Sequence, residues 1–209
     1  MFPNILIRTL DFIDRHYFSF YYGFINILIY FVKNRLHINQ ILALLIFHII
    51  RKMKITLIFT GKTSFGYLKS GIEDYLKRIK RYVSFEVKVI PDLKKTGRQP
   101  PAVIAVKEGT LILDLVSPGD YLVLLDENGK SFSSEKFAEQ VQKWMNAGTR
   151  NLIFLIGGAY GFSPEVYKRA DQKISLSDMT FSHQLVRLIF AEQFYRALTI
   201  LRGEPYHHS

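Results

Sequence analysis

From about residue 53 onward, two patterns of apolar residues alternate along this chain. In one, apolar residues form short continuous runs, and in the other they recur at helical spacing. Short apolar runs bounded by turn residues predict five strands, at 55–60, 85–90, 121–125, 152–156 and 173–176. Apolar residues at helical spacing predict the intervening helices, at 64–82, 102–116, 133–147, 164–170 and 183–201. Strands that alternate with helices are typical of an α/β domain with a mostly parallel sheet.

Residues 1–52 do not follow this pattern. They contain uncharged runs at 17–32 and 41–50, shorter than the roughly 20 apolar residues of a membrane-spanning helix. No small-residue cleavage site of a signal peptide follows either run. Of these 52 residues, 28 are Ile, Phe, Tyr, Asn or Lys, the types that AT-rich codons encode. We expect Met53 to be the native start, 1–52 to be translated leader sequence and 53–209 to be one domain, with a membrane anchor as the alternative.

Charge and composition narrow the class of partner. The net charge is +10, of which residues 1–52 contribute +4 (six Lys/Arg against two Asp/Glu) and the remainder +6. This excess favours a polyanion such as RNA as the partner. The absence of cysteine excludes disulfides, thiolate metal sites and cysteine nucleophiles, and it fits a cytoplasmic protein. The histidines lack the spacing of a zinc site, so we predict no metal.

Two loops near the carboxyl end of the chain are the candidates for ligand binding. The fourth predicted strand runs into Gly157-Gly158-Ala159-Tyr160-Gly161, and the fifth runs into a loop of small polar residues at 176–181. Glycine lets a ligand approach the backbone closely, although a glycine turn after a strand also serves as a plain tight connection. Three strands end here, at Leu125, Ile156 and Leu176, and open α/β sheets bind ligands at such ends. The pattern predicts a nucleotide-like cofactor site.

The last predicted helix carries the candidate catalytic side chains. His183, Arg187 and Tyr195 are spaced by multiples of four and share one stripe. His183 can equally cap the helix, and Arg187 can equally lie on a solvated face. Glu192 and Arg196 are also four apart, which by itself indicates an ordinary surface ion pair.

These motifs, in this order, resemble the RlmH family, bacterial methyltransferases that modify N3 of a pseudouridine in large-subunit (23S) ribosomal RNA. The resemblance rests on Ile156-Gly157-Gly158-Ala159-Tyr160-Gly161-Phe162-Ser163, on the run from Ser175 through His183 to Arg187, on Glu192-Gln193-Phe194-Tyr195-Arg196-Ala197 and on Pro205-Tyr206-His207. It covers residues 53–209. Residues 1–52 have no counterpart in the family.

The resemblance implies the α/β knot of the SPOUT superfamily, with helices on both faces of the sheet and a trefoil knot towards the carboxyl end of the chain. It also implies an obligate homodimer and S-adenosyl-L-methionine as cofactor. The cofactor contacts that it carries over are Leu125, Gly157, Leu176, Ser177, Asp178, Met179, Thr180 and Phe181.

The implied reaction is an in-line transfer of a methyl group from a sulfonium to a ring nitrogen, which depends largely on alignment. Because the ring nitrogen must lose a proton, we assign His183 as the possible base and Arg187 as its electrostatic partner. Arg196, Tyr206 and His207 are expected to position the RNA, the last two from across the dimer. The modest charge predicts recognition of RNA shape within the assembled ribosome.

Two other functions stay open from the residues alone. One is a SPOUT methyltransferase that acts on transfer RNA. The other is a non-catalytic ribosome-binding factor with a vestigial cofactor pocket.

Overall fold

The computed structural model describes residues 53–93 and 99–206, and the expectations for residues 1–52 and for His207 lie outside these ranges. Within them the strands are β1 (Lys54–Thr60), β2 (Ser84–Ile90), β3 (Tyr121–Ser131), β4 (Asn151–Ile156) and β5 (Gln172–Ser175). The helices are α1 (Gly66–Ile79), α2 (Pro101–Leu113), α3 (Ser134–Asn146), α4 (Pro164–Arg169) and α5 (Leu185–Leu201). Every predicted element is present, so the α/β prediction is confirmed.

The strands form one sheet in the order β2-β1-β4-β3-β5. Each neighbouring pair among these strands is parallel. Because side chains alternate across a strand, each strand feeds two cores. On one face, Leu57 and Phe154 pack with α1, α3 and α5. On the other face, Ile58 and Leu155 pack with α2 and α4. The expected helices on both faces are therefore present, and the trefoil knot stays a prediction.

The predicted turn at 126–130 is wrong, because β3 continues through it to Ser131. The ladder with β5 is irregular between Leu125 and Lys130, and both of these residues pair with Ile174. Gly129 makes this possible, since a Cβ there would lie 2.5 Å from the backbone of Ile174. The residues between the two pairs are left out of the ladder. They contribute instead to the cavity described below.

The last helix begins at Leu185, two residues later than predicted. The backbone amide of Leu185 donates to Oγ of Ser182 at 3.2 Å, so the serine satisfies one of the free amides at the helix start. His183 consequently lies in the turn before the helix, where it is exposed. Among the described residues, no helix combines the length and the apolar character that a bilayer crossing requires.

Candidate active site

A cavity of about 460 Å³ opens at the ends of β4 and β5, beside the irregular part of β3. Its wall combines the glycine turn after β4, the loop after β5 and the irregular part of β3. The residues from the sequence prediction that line it are Leu125, Gly157, Leu176, Ser177, Met179, Thr180, Phe181 and His183. The two loops singled out in the sequence therefore form one site, as their places at neighbouring strand ends predict.

The glycine turn lies against its own chain too closely for ordinary side chains. A Cβ at Gly157 would lie 3.2 Å from the ring of Phe162 and 3.3 Å from the carbonyl oxygen of Gly161. Gly161 has φ of +73°, a left-handed conformation that glycine adopts without strain. The turn therefore presents bare backbone to the cavity.

Hydrogen bonds within the loop after β5 fix its shape. The hydroxyl of Ser175 donates to the carbonyl oxygen of Ser177 at 2.8 Å, and the amide of Met179 donates to Oγ of Ser177 at 2.9 Å. Asp178 accepts from the hydroxyl of Ser131 at 3.2 Å and is not among the cavity-lining residues. Its position indicates that it anchors the loop to β3, whereas the sequence predicts a cofactor contact.

One rim of the cavity is acidic. Asp126 and Glu127 line it on the irregular part of β3. Asp126 accepts hydrogen bonds from the backbone amide of Asn128 and from the hydroxyl of Tyr167. Burial and the bond to Asp126 raise the pKa of Tyr167 to about 12. The rim favours a cationic ligand group.

His183 and Arg187 occupy different environments. His183 is exposed at the cavity, whereas the side chain of Arg187 is completely buried and lies outside the lining. The Arg187 guanidinium donates to the carbonyl oxygens of Thr60 at 2.6 Å, Gly61 at 3.0 Å and His183 at 3.0 Å. It also lies 4.2 Å from the ring centroid of Phe59. Arg187 thus holds the backbone at the end of β1 and before α5, and the solvated-face alternative is wrong.

Arg196 and Tyr206 lie in an aromatic cluster, formed by Tyr75, Tyr195, Tyr206, Glu192 and Arg196 on α1, α5 and the tail. Nε of Arg196 donates to Glu192 at 3.0 Å, which confirms the predicted ion pair. The hydroxyls of Tyr75 and Tyr206 are 3.2 Å apart, and that of Tyr206 is also 3.2 Å from Glu192. None of these residues lines the cavity of its own chain.

Comparison with known proteins identifies the chain. The model of the family described as predicted SPOUT methyltransferase matches residues 53–207. The chain belongs to the SPOUT methyltransferase family. A ribosomal RNA large subunit methyltransferase H from Christiangramia forsetii is 59% identical over 156 residues, which cover 75% of this chain and 99% of that protein. The protein of the same name from Parabacteroides distasonis is 54% identical over the same coverage.

Likeness to solved structures is low. A probable methyltransferase from Bordetella pertussis Tohama I aligns with 70% of this chain and 96% of its own, at 13% identity and a TM-score of 0.44. This likeness adds nothing to the family assignment.

A SPOUT protein is a methyltransferase, and its cofactor is S-adenosylmethionine. The cavity residues fit that molecule. A volume of about 460 Å³ suits a ligand of this size. Leu125, Leu176 and Phe181 offer apolar cover, and the bare backbone at Gly157 allows close approach. The carboxylates of Asp126 and Glu127 match the positive charges of a sulfonium and an ammonium.

Sequence reasoning missed part of this SPOUT site. Asp126, Glu127 and Asn128 follow directly on the apolar run of β3, so their place at a strand end was a usable signal. The buried side chain of Glu108 had no such signal, because Glu108 lies within a helix, next to Lys107, and not at a strand end.

Proposed function

We propose that this protein methylates N3 of a pseudouridine in large-subunit ribosomal RNA, with S-adenosylmethionine as the methyl donor. One observation carries the proposal. The glycine turn and the 176–181 loop wall a single cofactor-sized cavity in a chain 59% identical, over 99% of its length, to a ribosomal RNA large subunit methyltransferase H. The specific base and atom rest on the motifs from Gly157 to Tyr206 that resemble the RlmH family.

Bound in the cavity, S-adenosylmethionine supplies an electrophilic methyl group on a sulfonium sulfur. Leu125, Leu176 and Phe181 would enclose the cofactor, and the backbone of the 176–181 loop and of Gly157 would hydrogen-bond its polar groups. His183 faces the cavity and contacts the acceptor base. Arg187 holds the backbone on both sides of that contact, so it acts through position.

The homodimer, the ribosome as substrate and the cytoplasmic location belong to the same proposal. Arg196 and Tyr206 lie away from the cavity of their own chain, which supports their acting on RNA at the partner's site. The net charge of +6 after residue 52 is small for a protein that binds free RNA tightly. It supports recognition of a shaped surface in the assembled ribosome.

The test uses the chain from Met53 with ribosomes from a strain that lacks the gene. Labelled S-adenosylmethionine should deliver its methyl group to one pseudouridine of the large-subunit RNA, identified by mass spectrometry of nucleosides. Free large-subunit RNA, transfer RNA and ribosomes from the parent strain serve as the comparison substrates. Methylation of transfer RNA alone would contradict the proposed substrate. No S-adenosylmethionine binding in calorimetry, together with no methylation of any substrate, would favour a ribosome-binding factor with a vestigial cofactor pocket.

A further inference from the structure

A second, smaller cavity lies beside the cofactor cavity. Its volume is about 180 Å³, and we refer to it as the side cavity. It shares Gly158, Ala159 and His183 with the cofactor cavity, so the two spaces adjoin at the glycine turn. Its other walls come from the ends of β1 and β2, from α2 and from Tyr160. By the roughly 30 Å³ that a water occupies, it has room for about six waters, on the order of one small ring.

Two buried polar atoms on residues that line this cavity have no hydrogen-bond partner among the described residues. They are Oε2 of Glu108 and Oγ1 of Thr60. Glu108 is 8% exposed and Thr60 4% exposed. Burying a polar group without a partner costs about 1–3 kcal/mol, so such groups usually have a ligand, a water or a catalytic task. A carboxylate that accepts and a hydroxyl that donates suit a molecule with an N–H beside a C=O.

The carboxyl group of Glu108 lies close to the glycine turn. A Cβ at Gly158 would lie 2.5 Å from Oε2 of Glu108, so a larger residue there would displace the end of this side chain. Gly158 also lines the cofactor cavity. The backbone at Gly158 therefore lies between the carboxyl group of Glu108 and the cofactor cavity.

Arg187 supports another part of the side-cavity wall through its hydrogen bonds. It donates to the carbonyl oxygens of Thr60 and His183, which are the two residues that the side cavity takes from β1 and from the turn before α5. Its hydrogen bonds also include Gly61 and the hydroxyl of Thr63. A buried arginine that holds two cavity walls is typical of a built site.

The electrostatics around Glu108 suit proton transfer. Burial, and to a smaller degree the negative charge of Asp92, raise the pKa of Glu108 above its usual range. The charged or titratable groups from the described elements around it are Asp92 after β2, Tyr160 and His183 on the walls, and Arg187. Burial lowers the pKa of Arg187, and the negative charge of Asp92 opposes this only in part. A carboxyl group with a raised pKa is a stronger base near neutral pH.

We propose that the side cavity holds the ring of the acceptor nucleobase, that Glu108 accepts the proton of its ring N–H, and that the Thr60 hydroxyl donates to the neighbouring ring carbonyl. The proposal rests on the proposed function. The N–H bond breaks and its proton moves to Oε2 of Glu108. The electron pair of the ring nitrogen forms the new bond to the methyl carbon, and the pair of the broken carbon–sulfur bond stays on sulfur.

This assigns the proton to Glu108, where sequence reasoning assigned it to His183. His183 is exposed, so water competes for its ring, whereas Glu108 is buried and lacks a partner. His183 keeps the role of contacting the base at the junction of the two cavities. The competing explanation is that ordered water fills the side cavity and Glu108 is structural.

The test compares Glu108→Gln, Glu108→Asp and Thr60→Val with the unchanged protein in single-turnover methylation of ribosomes lacking the modification. Glu108→Gln keeps the shape and removes the base, and we expect its rate to fall by about 10²–10⁴-fold. Glu108→Asp should recover part of the rate and Thr60→Val should lose about tenfold. The unchanged protein should gain rate as pH rises through the pKa of Glu108, and Glu108→Gln should lose this dependence.

Two further readouts separate catalysis from structure. The S-adenosylmethionine affinity of Glu108→Gln, from calorimetry, should stay within about threefold of the unchanged protein. Because the folded-state pKa of Glu108 is raised, its contribution to stability is present below the unfolded pKa and is lost as pH rises through the folded one. Thermal melts of Glu108→Gln should therefore lose less stability between pH 5 and pH 8. Glu73→Gln, on the exposed part of α1, is the matched control and should change nothing.

The outcomes are distinct. A Glu108→Gln protein that methylates at more than about a third of the normal rate overturns the proposal and leaves the proposed function standing. So does a rate loss fully accounted for by lost cofactor binding. If the unchanged protein methylates no ribosomal RNA, the proposed function fails and this inference fails with it.

Discussion

The two cavities and the aromatic cluster both bring polar side chains together, but they differ in whether those side chains have hydrogen-bond partners. In the cluster, Glu192 accepts from Arg196 and Tyr206, and Tyr206 also meets Tyr75. At the side cavity, Glu108 and Thr60 each keep a buried oxygen without a partner among the described residues. The hydrogen bonds of the cluster are made within the chain, whereas two buried oxygens on residues of the side cavity have no partner among the described residues.

This difference indicates where a ligand is expected to bind in such a fold. A hydrogen-bonded, half-buried cluster stabilises its own chain and resembles an ordinary surface network. A buried carboxyl group without a hydrogen-bond partner lowers the stability of the folded protein. It is retained only where another property, such as ligand binding, gains from it. Substitutions in the two regions should therefore have different signatures.

The largest effect is expected at Arg187, which is buried outside the cavities and hydrogen-bonds the backbone of residues in or beside their walls. In Arg187→Met, the carbonyl oxygens of Thr60, Gly61 and His183 lose their donor while staying close to the core. We expect a loss of about 3 kcal/mol in the free energy of unfolding, or roughly 6–12 °C in Tm, together with loss of methylation. Thermal melts check the stability, with the exposed Arg81→Met as control. A Tm within about 2 °C of normal would contradict the positioning role.

The next effect is expected at His183, which lies at the junction of the cavities and is exposed. His183→Ala should lower the methylation rate by about 10²-fold through misplacement of the base, with Tm and S-adenosylmethionine affinity nearly unchanged. Single-turnover kinetics and calorimetry measure the two quantities. Equal losses in rate and in cofactor affinity would show that His183 serves the cofactor instead.

Mixing the His183→Ala and Arg196→Met proteins tests whether Arg196 of the aromatic cluster acts at the cavity of the partner subunit. If each site combines His183 of one subunit with Arg196 of the other, mixed dimers hold one intact site. Re-equilibrated mixtures of these two inactive proteins then recover about a quarter of normal activity, as expected for a symmetric dimer. No recovery from dimers shown to exchange would contradict a role across the interface.

A smaller effect is expected at the acidic rim. Asp126→Asn removes one negative charge from the cofactor cavity and should weaken S-adenosylmethionine by about fivefold, or roughly 1 kcal/mol. It should also bring the pKa of Tyr167 down from about 12, because an ionised tyrosine would no longer face a carboxylate. Ultraviolet titration of the phenol checks the second point. In the unchanged protein, the stability due to Tyr167 should be present below its unfolded pKa and lost as pH rises through about 12.

The smallest effect is expected within the aromatic cluster. Glu192→Gln removes the charge of a helical i,i+4 pair and should cost less than about 1 kcal/mol, with cofactor affinity unchanged. Thermal melts and calorimetry on the same preparation would measure both. A cofactor affinity that fell as far as that of Asp126→Asn would erase the contrast between the two regions.

Much of the cofactor cavity was predictable because its loops follow strand ends that are visible as apolar runs. Seven of the eight predicted cofactor contacts line the cavity, since parallel strands bring their carboxyl ends to one edge whatever their order. The eighth, Asp178, does not line the cavity, because its side chain bonds Ser131 on a strand that the sequence indicated would already have ended. The strand continues because Gly129 can lie on the backbone of Ile174, a contact between residues 45 positions apart.

The sequence by itself determined the α/β alternation, the two ligand-binding loops and, through the order of their motifs, the family, because periodicity and local turn chemistry are short-range properties. Only the tertiary structure decided that Arg187 is buried and bonded to backbone carbonyls, that His183 precedes the helix and that Glu108 lines a second cavity with an oxygen that has no partner among the described residues. Those facts depend on which distant segments pack together. Helical spacing fixes the face on which a side chain lies, but burial and hydrogen-bond partners depend on what covers that face.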